Sequence, residues 1–212
     1  MKIAVISATG FVGAAVVAEA LSRGHPVGAI ARHPEKLADA PGLTKIAGDI
    51  LDPGRVAALV KGYDYVVSAY NPGWTNPDIY NEYKRGTEAI LAGVKQAGLP
   101  LLIVGGAGSL EVAPGVQLVD TEGFPDAYKP VALAARDTLK QLQAVDDLDW
   151  TFYSPAAEIG PGPQRGGFRT QATNFLVGDD GHSRISYPDY ADAFVSEIET
   201  PQYVRQIATV AY

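Results

Sequence analysis

Two glycines three residues apart follow the first apolar run of the chain. Gly10 and Gly13 belong to the segment Ser7–Gly13, which comes directly after the Ile/Val-rich run Lys2–Ile6 and opens an amphipathic stretch. Glycines at this spacing let the backbone approach a pyrophosphate and let a helix pack closely on its strand, as in a dinucleotide-binding βαβ unit. Ser7 stands where such a unit has its first glycine and has to accept the tight turn. The pattern favours a pyrophosphate at the helix N-terminus over a turn without a ligand. The residues predicted to hold it are Ser7, Thr9, Gly10, Phe11, Val12 and Gly13.

The end of the second predicted strand indicates which nucleotide is bound. An acid about 20 residues beyond the glycines would accept the ribose 2′-OH of NAD. The chain has Arg32 there instead, with Lys36 a turn later, and both could neutralise a 2′-phosphate. NADP(H) is therefore favoured over NAD(H), although an exposed arginine without a ligand is the alternative and Glu35 keeps NAD open. Asp49, after the third predicted strand, is left open between an adenine contact and a cap of the next turn.

Three further loops follow the fourth, fifth and sixth predicted strands: Tyr70–Trp74, Gly105–Ser109 and Tyr153–Glu158. Ligands of doubly wound sheets bind outside the carboxyl ends of the strands, so we expect these loops to surround the ligand. Trp74 and Tyr153 are interpreted as walls for a planar substrate, with ordinary packing as the alternative. The other residues predicted to contact the dinucleotide are Ala69, Tyr70, Asn71, Gly105, Gly106, Ser154 and Pro155.

Short apolar runs alternate with amphipathic stretches, which predicts an α/β fold with a doubly wound parallel sheet and right-handed crossovers. A single domain is expected over residues 1–212, with residues 155–212 forming a small C-terminal cap on the substrate side. The strands are predicted at Lys2–Ile6, Pro26–Ala31, Leu43–Ala47, Tyr65–Ala69, Leu101–Val104 and Trp150–Tyr153, with shorter ones near Phe168, Ile185 and Ile207. The helices are predicted at Gly10–Arg23, Pro53–Val60, Ile79–Ala97, Pro130–Val145 and Asp189–Glu199.

The composition excludes several classes of function. Lys and Arg number 17 and Asp and Glu number 24, a net charge of −7 that disfavours nucleic acid and anionic membranes as partners. There is no cysteine, so disulfides, thiolate metal sites and cysteine nucleophiles are absent. The three histidines show no metal-ligand spacing, and no metal is expected. No apolar run is long enough to span a bilayer and no signal-peptide pattern is visible, so a cytoplasmic location is the expectation.

These residues together resemble the atypical short-chain dehydrogenase/reductase superfamily. Within it, the chain is most similar to the NAD(P)H-binding group of NADH–flavin reductases, which is related to biliverdin reductase B and the NmrA-like proteins. The resemblance implies a Rossmann fold, an NAD(P)H cofactor, and FMN, FAD or another planar molecule as the substrate. It also implies a catalytic role for Ser109 through a hydrogen bond to the substrate or the carboxamide, since biliverdin reductase B has a serine at the matching position; a cap of the turn is the alternative. The segments that carry it are Ser7–Gly13, Arg32–Lys36, Asn71–Trp74, Asn76–Tyr80, Gly105–Leu110, Phe152–Ala156, Ile185–Ser186 and Asp189–Ala191.

Acid–base residues of standard short-chain dehydrogenases are missing. Their Tyr-x-x-x-Lys pair is matched only by Tyr80 and Lys84, which precede the fifth strand on the wrong crossover. The related biliverdin reductase group has a histidine after the sixth strand, where this chain has Pro155–Glu158; Glu158 is the nearest titratable group. Arg165 and Arg169 could clamp an anionic substrate, but solvated loop charges are the favoured interpretation.

Three functions remain open on this reasoning. The first is an NAD(P)H-dependent oxidoreductase, with Ser109 and Tyr153 as catalytic candidates and a small planar acceptor as partner. A flavin or quinone suits it, because its proton can come from water and the protein mainly positions two rings. The second is a non-catalytic, NmrA-like sensor of NADP(H). The third, an epimerase or dehydratase, lacks its Tyr-x-x-x-Lys pair. The oligomeric state is not predicted.

Overall fold

The computed structural model describes residues 1–212, and twelve strands and five helices make up its regular structure. The strands are β1 (Ile3–Ile6), β2 (Val27–Ala31), β3 (Leu43–Ala47), β4 (Tyr65–Ser68), β5 (Leu101–Val104), β6 (Glu111–Ala113), β7 (Val116–Gln117), β8 (Trp150–Ser154), β9 (Glu158–Gly160), β10 (Arg169–Ala172), β11 (Arg184–Ser186) and β12 (Gln206–Ala211). The helices are α1 (Phe11–Ser22), α2 (Pro53–Leu59), α3 (Ile79–Ala97), α4 (Lys129–Gln143) and α5 (Tyr187–Glu199).

Eight of the strands form one sheet in the order β3-β2-β1-β4-β5-β8-β12-β10. Every neighbouring pair is parallel except β10 and β12, which run antiparallel. The chain moves outward from β1 to β3 and then returns to place β4 on the other side of β1. The predicted doubly wound α/β fold is confirmed, and its switch point lies between β1 and β4.

Both faces of the sheet are covered, which is why its strands are continuous apolar runs. All four residues of β1 are buried, and their side chains alternate between two cores. Ile3 and Val5 pack with α1 and α5 on one face, whereas Ala4 and Ile6 pack with α2, α3 and α4 on the other. Each strand therefore has a fixed orientation, and its carboxyl end presents the loop that follows to one edge of the sheet.

Local sequence signals set several helix ends. The Asp52 side chain accepts a hydrogen bond from the Arg55 N–H at 2.7 Å and caps α2, where Pro53 occupies the first turn. Helix α3 ends at Gly98, whose φ of 66° is the left-handed conformation that favours glycine. The predicted bounds of α3, β3 and β5 agree with the structure, and those of the other main helices and strands differ by one or two residues.

The segment after Ser154 contributes to several parts of the fold. Strands β12 and β10 extend the main sheet, and α5 packs on α1. The sequence analysis predicted this segment as a cap on the substrate side. Only a small part of it borders the large cavity described below: residues 155–159, Phe175 and Tyr187. The sequence analysis did not predict the β6–β7 hairpin or the pairing of β9 with β11. None of the helices has the length and apolar character needed to cross a membrane.

Candidate functional site

A cavity of about 1320 Å³ opens at the carboxyl edge of the sheet, across the switch point. This volume exceeds the roughly 300–1,000 Å³ of a typical pocket for one small ligand, so two ligands can fit side by side. We call the wall that follows β1, β2 and β3 the basic end; its residues are Ser7, Thr9–Val12, Ile30–His33, Lys36 and Gly48–Leu51. The wall that follows β4, β5 and β8 is the aromatic end; its residues are Ala69–Trp74, Asn76, Glu82, Tyr83, Val104–Gly108, Leu118, Thr121, Gly123–Pro125, Tyr128, Val131, Ala132, Ala135, Pro155–Ile159, Phe175 and Tyr187.

The turn between β1 and α1 presents free backbone donors to the basic end. Ser7 has a φ of 60°, a left-handed conformation that costs a non-glycine residue about 1–2 kcal/mol. The turn closes through a 3.1 Å hydrogen bond from the Gly10 N–H to the Ser7 carbonyl. The N–H groups of Phe11 and Val12 have no acceptor within the chain, and no side chain caps the helix. These donors and the helix dipole together favour an anion.

Gly13 lets α1 pack directly against this turn. A Cβ atom on Gly13 would lie 2.4 Å from the Ser7 carbonyl oxygen and 3.0 Å from the Ala8 Cα atom. A Cβ on Gly10 would meet nothing closer than the Ser7 oxygen at 3.5 Å, and Gly10 is exposed to the cavity. The two glycines therefore have the different environments that the sequence predicted: Gly13 faces the strand, and Gly10 faces the place where a ligand would approach.

The end of β2 supplies unpaired cations. Arg32 and Lys36 border the cavity, and neither side chain forms an ion pair or a side-chain hydrogen bond. Glu35 is not part of the cavity wall; its carboxylate accepts a hydrogen bond from His33 at 3.2 Å. Asp49 borders the cavity and also accepts a hydrogen bond from the Leu51 N–H at 3.0 Å. Its capping role is thus present in the structure, and its adenine contact stays a prediction.

The loops after β4 and β5 form part of the aromatic end. Hydrogen bonds between side chains and the backbone fix the conformation of the loop after β4. Ala69, Tyr70, Asn71, Gly105 and Gly106 all border the cavity. The Tyr70 hydroxyl donates to the Glu82 carbonyl at 3.1 Å, and the Asn71 side chain accepts from the Gly73 N–H at 2.8 Å. Burial raises the pKa of Tyr70, so its hydroxyl stays protonated at neutral pH.

Ser154 and Pro155 occupy different positions relative to the cavity. Pro155 borders it, but Ser154 is fully buried and is absent from the wall. The Ser154 hydroxyl donates to the Gly106 carbonyl at 3.1 Å, so it positions the glycine loop from behind. The predicted direct contact between Ser154 and the dinucleotide is therefore wrong for its side chain.

Exposed aromatic rings line the cavity. Trp74 is 61% exposed and meets Tyr128 edge to face, with ring centroids 5.6 Å apart. Phe11 is 76% exposed and stacks on Tyr187, with centroids 5.7 Å apart and planes 6° from parallel. Trp74 lies where the sequence predicted a substrate wall. The sequence analysis missed Phe11, Tyr128 and Tyr187 as partners in these two aromatic pairs.

Tyr153 does not reach the cavity, so its predicted role as a catalytic or wall residue is wrong. Its ring is buried and packs against Tyr190, Phe194 and Tyr203 on the α5 face of the sheet. Burial raises its pKa well above the ordinary value of a tyrosine. The residue is part of the core, and it has no opening through which to exchange a proton with a substrate.

Ser109 is also buried, with 2% of its surface exposed, and it lies outside the cavity wall that includes its neighbours Ala107 and Gly108. Its hydroxyl has no hydrogen-bond partner in the chain. The short 3-10 turn that contains Ser109 packs on α4, and the Ser109 side chain is enclosed by the protein. Its predicted catalytic contact with a substrate is therefore not present.

The remaining acid–base candidates are engaged elsewhere. Glu158 borders the cavity, but hydrogen bonds from His182 and Arg184, both at 3.0 Å, lower its pKa and keep it ionised at neutral pH. Tyr80 lies outside the cavity, where its hydroxyl donates to Asp137 at 2.6 Å. The Tyr80-x-x-x-Lys84 pair is thus unrelated to the site, as the sequence analysis indicated.

Arg165 and Arg169 are held away from the cavity. The Arg165 guanidinium lies 3.7 Å from the centroid of the Tyr212 ring, which is a cation–π contact. Arg169 donates to the carbonyls of Val177 and Tyr212 at 2.7 and 3.0 Å. Neither residue borders the cavity, so the structure does not support a clamp on an anionic substrate.

The basic end fits a dinucleotide. Its free backbone donors lie at the helix N-terminus that follows β1, its glycine faces the ligand space, and its unpaired cations follow β2. The α/β fold and this site define the class of NAD(P)-binding Rossmann proteins. The chain belongs to the NAD(P)H-binding family, whose sequence model matches residues 7–201. The resemblance inferred from the sequence is confirmed at this level.

Solved structures with similar sequences cover the whole chain. One, provisionally described as an exported protein of Burkholderia pseudomallei, is 49% identical with a TM-score of 0.91 and covers all of both chains. A candidate epimerase of Bacteroides thetaiotaomicron is 39% identical with a TM-score of 0.93, over 100% of this chain and 96% of that one. A candidate NADH-flavin reductase of Streptococcus pneumoniae is 33% identical with a TM-score of 0.89, over 100% and 99%. The cytoplasmic location of this protein stays a prediction.

Proposed function

We propose that this protein is an NADPH-dependent oxidoreductase that reduces a flavin, a quinone or a similar planar acceptor. The supporting observation is that one cavity joins two unlike sets of groups. The basic end contains the free N–H groups of Phe11 and Val12 and the unpaired Arg32. The aromatic end contains the rings of Trp74 and Tyr128. The first set suits a phosphate-rich nucleotide, and the second suits a flat conjugated molecule.

Arg32 supports NADP(H) as the preferred nucleotide. A planar guanidinium can donate two hydrogen bonds to a 2′-phosphate, and Arg32 borders the cavity without an ion pair to any carboxylate of the chain. An NAD-selective site has an acid that accepts the ribose 2′-OH, but Glu35 lies outside the cavity wall and is bonded to His33.

The residues of the cavity have positioning roles in this proposal. NADPH, when bound, supplies a hydride to the acceptor, which gains two electrons. The α1 N-terminus would hold the pyrophosphate, and Trp74 and Tyr128 would orient the acceptor ring. None of the tyrosines in the wall belongs to a Tyr-x-x-x-Lys pair, and Glu158 is ionised. Water therefore provides the proton that completes the reduction, which flavins and quinones allow.

Two measurements test the proposal in sequence. Isothermal titration calorimetry with NADPH and NADH reports nucleotide binding, and we expect NADPH to bind more tightly. The loss of NADPH absorbance is then followed with riboflavin, FMN, FAD and menadione as acceptors. Acceptor-dependent oxidation supports a reductase. Tight NADPH binding without oxidation of NADPH by any acceptor would contradict the proposal.

A sensor of NADP(H) without turnover is the second candidate. The observation that favours it is the distribution of acid–base groups, since Tyr153 and Ser109 are buried away from the cavity and Glu158 is ion-paired. A sensor would bind NADPH and leave every acceptor unreduced in the same assay. An epimerase or dehydratase is less well supported, because Tyr80 lies outside the cavity.

A further inference from the structure

The two ends of the cavity differ in charge. Arg32, His33 and Lys36 provide basic side chains at the basic end. The wall of the aromatic end contains no lysine, arginine or histidine, and its only charged residues are Glu82 and Glu158. A ligand that enters the aromatic end therefore meets aromatic rings, backbone and carboxylates, with no cationic side chain in the wall.

Both carboxylates at the aromatic end are already occupied. Glu82 accepts a hydrogen bond from Arg85, three residues further along α3, at 2.7 Å. Glu158 binds His182 and Arg184, and Arg184 also reaches Asp180 at 3.1 Å. Arg184 is thus paired with two acids, Glu158 and Asp180. An incoming phosphate would have to compete with them for Arg184.

The arginines of the neighbouring loop do not change this balance. Arg165 lies over the Tyr212 ring, and its backbone N–H donates to the buried Asp189. Arg169 is bonded to two carbonyl groups of the chain. Neither arginine borders the cavity, so neither offers its side chain to a ligand at the aromatic end.

From this asymmetry we propose that the aromatic end selects uncharged planar acceptors, such as a quinone or a flavin without phosphate, and discriminates against FMN, FAD and sulfonated quinones. The inference rests on the proposed reductase function and specifies its substrate class. An anionic group brought to this wall loses hydration and gains no cation in exchange, which costs free energy. The ring itself keeps its contacts with Trp74 and Tyr128 in either case.

The reaction balances with water as the only further reactant. NADPH is oxidised to NADP⁺ as its hydride passes to the acceptor, which gains two electrons. A proton from solvent completes the hydroquinone or the reduced flavin. No residue of the aromatic end has to donate or accept this proton, so selectivity in the proposal comes from binding rather than from acid–base chemistry.

Equilibrium dialysis of matched ligands tests the proposal independently of turnover. Riboflavin and FMN share one ring system, as do menadione and menadione sulfonate, and the members of each pair differ in an anionic group. Saturating NADP⁺ is included, so that FMN cannot bind through its phosphate at the basic end. We expect the neutral member of each pair to bind at least about tenfold more tightly. Equal binding or a preference for the anion would overturn the proposal.

Glu158→Gln sharpens the test, because it removes a negative charge from the wall, removes the ionised partner of His182 and leaves Arg184 paired with Asp180 alone. We expect the preference for riboflavin over FMN to fall about threefold or more, on the scale of one like-charge contact near the surface. Asp146→Asn is the control, since it makes the same change of net charge at an exposed residue outside the cavity. An equal shift in both variants would contradict a local effect.

The outcomes separate this inference from the proposed function. Turnover with FMN that equals turnover with riboflavin would refute the selectivity and leave the reductase intact. Failure of both flavins and both quinones to bind or oxidise NADPH, in a protein that binds NADP⁺, would refute the reductase and the selectivity together. Preferential binding and turnover of the neutral acceptors would support both.

Discussion

The basic end and the aromatic end of the cavity differ in the chemical groups that form their walls. The basic end uses backbone groups and cations from two short continuous segments, Ser7–Gly13 and Ala31–Lys36. The aromatic end uses side chains from segments far apart in the chain, among them Trp74, Tyr128 and Tyr187. A backbone site changes only when the fold changes, whereas a side-chain site can change one residue at a time. The fold therefore determines that the basic end suits a dinucleotide, whereas a few side chains determine which second ligand the aromatic end suits.

The largest expected effect tests the dependence of the basic end on backbone packing. In Gly13→Ala, the new Cβ would approach the Ser7 carbonyl oxygen to 2.4 Å. Because the obstructing atoms belong to the backbone, either the turn or α1 would have to shift. We expect a loss of about 2–4 kcal/mol in the free energy of unfolding, measured by urea denaturation. Gly10→Ala is the matched control, because its Cβ has room. It should weaken NADPH binding with little loss of stability, and equal destabilisation by the two variants would contradict this assignment.

Asp189 tests how the segment after β9, outside both ends of the cavity, is fastened to α5. Burial alone would raise the pKa of Asp189, but hydrogen bonds from Tyr212, Gly166, Arg165 and Ser186 outweigh burial and lower it below the ordinary 3.8. Because the folded pKa is lowered, the carboxylate contributes stability above pH 3.8, and this contribution is lost as the pH falls through the folded pKa.

Asp189→Asn should therefore reduce the free energy of unfolding by about 1–3 kcal/mol at neutral pH. The difference from the unmodified protein should shrink in acid, because the carboxyl group of the latter is then protonated. Chemical denaturation at several pH values measures both. A difference that stays constant down to pH values below 3.8 would contradict the role of the charge.

Arg32→Ala tests the charge of the basic end. NADPH affinity should fall by about 1–3 kcal/mol, the scale of a hydrogen bond to a charged group, with NADH affinity nearly unchanged. Calorimetric titration with both nucleotides measures the difference. Lys61→Ala is the control, because it removes one positive charge at an exposed residue outside the cavity. Equal losses of NADPH and NADH affinity in Arg32→Ala would remove the preference for NADP(H).

Trp74→Ala should have a smaller effect, limited to the aromatic end. Loss of this ring should raise KM for the acceptor about three- to tenfold, on the scale of one aromatic contact, and leave the Kd of NADPH unchanged. Tyr153→Phe is the companion variant, because Tyr153 is buried in the core. Steady-state kinetics should show no more than about a twofold change for it. A large loss of kcat in Tyr153→Phe would restore its predicted catalytic role.

The sequence predicted the basic end well because its signals are local. The strand, the turn with Gly10 and Gly13, and the start of the helix are consecutive, and Arg32 follows the adjacent strand. Their spatial relation follows from a single βαβ unit. The doubly wound sheet was predictable for the same reason, since each apolar run and each amphipathic stretch reports its own secondary structure.

The aromatic end could not be predicted in the same way. Tyr153 was placed at the site because it ends a strand, but alternate residues of a strand face opposite sides, and Tyr153 faces α5. The stacking of Phe11 on Tyr187 joins residues far apart in the chain, and no local pattern reports such a contact. Ser109 fails for a related reason: a short turn after β5 directs its side chain inward.

Calorimetric titration of the unmodified protein with NADPH tests the central claim most directly. The account predicts a single saturable site in the micromolar range, weaker affinity for NADH, and competition by 2′,5′-ADP, a nucleotide that carries the 2′-phosphate. The absence of binding by NADPH and NADH at millimolar concentrations would contradict the assignment of the basic end, and the proposed reductase and its selectivity would then have no support.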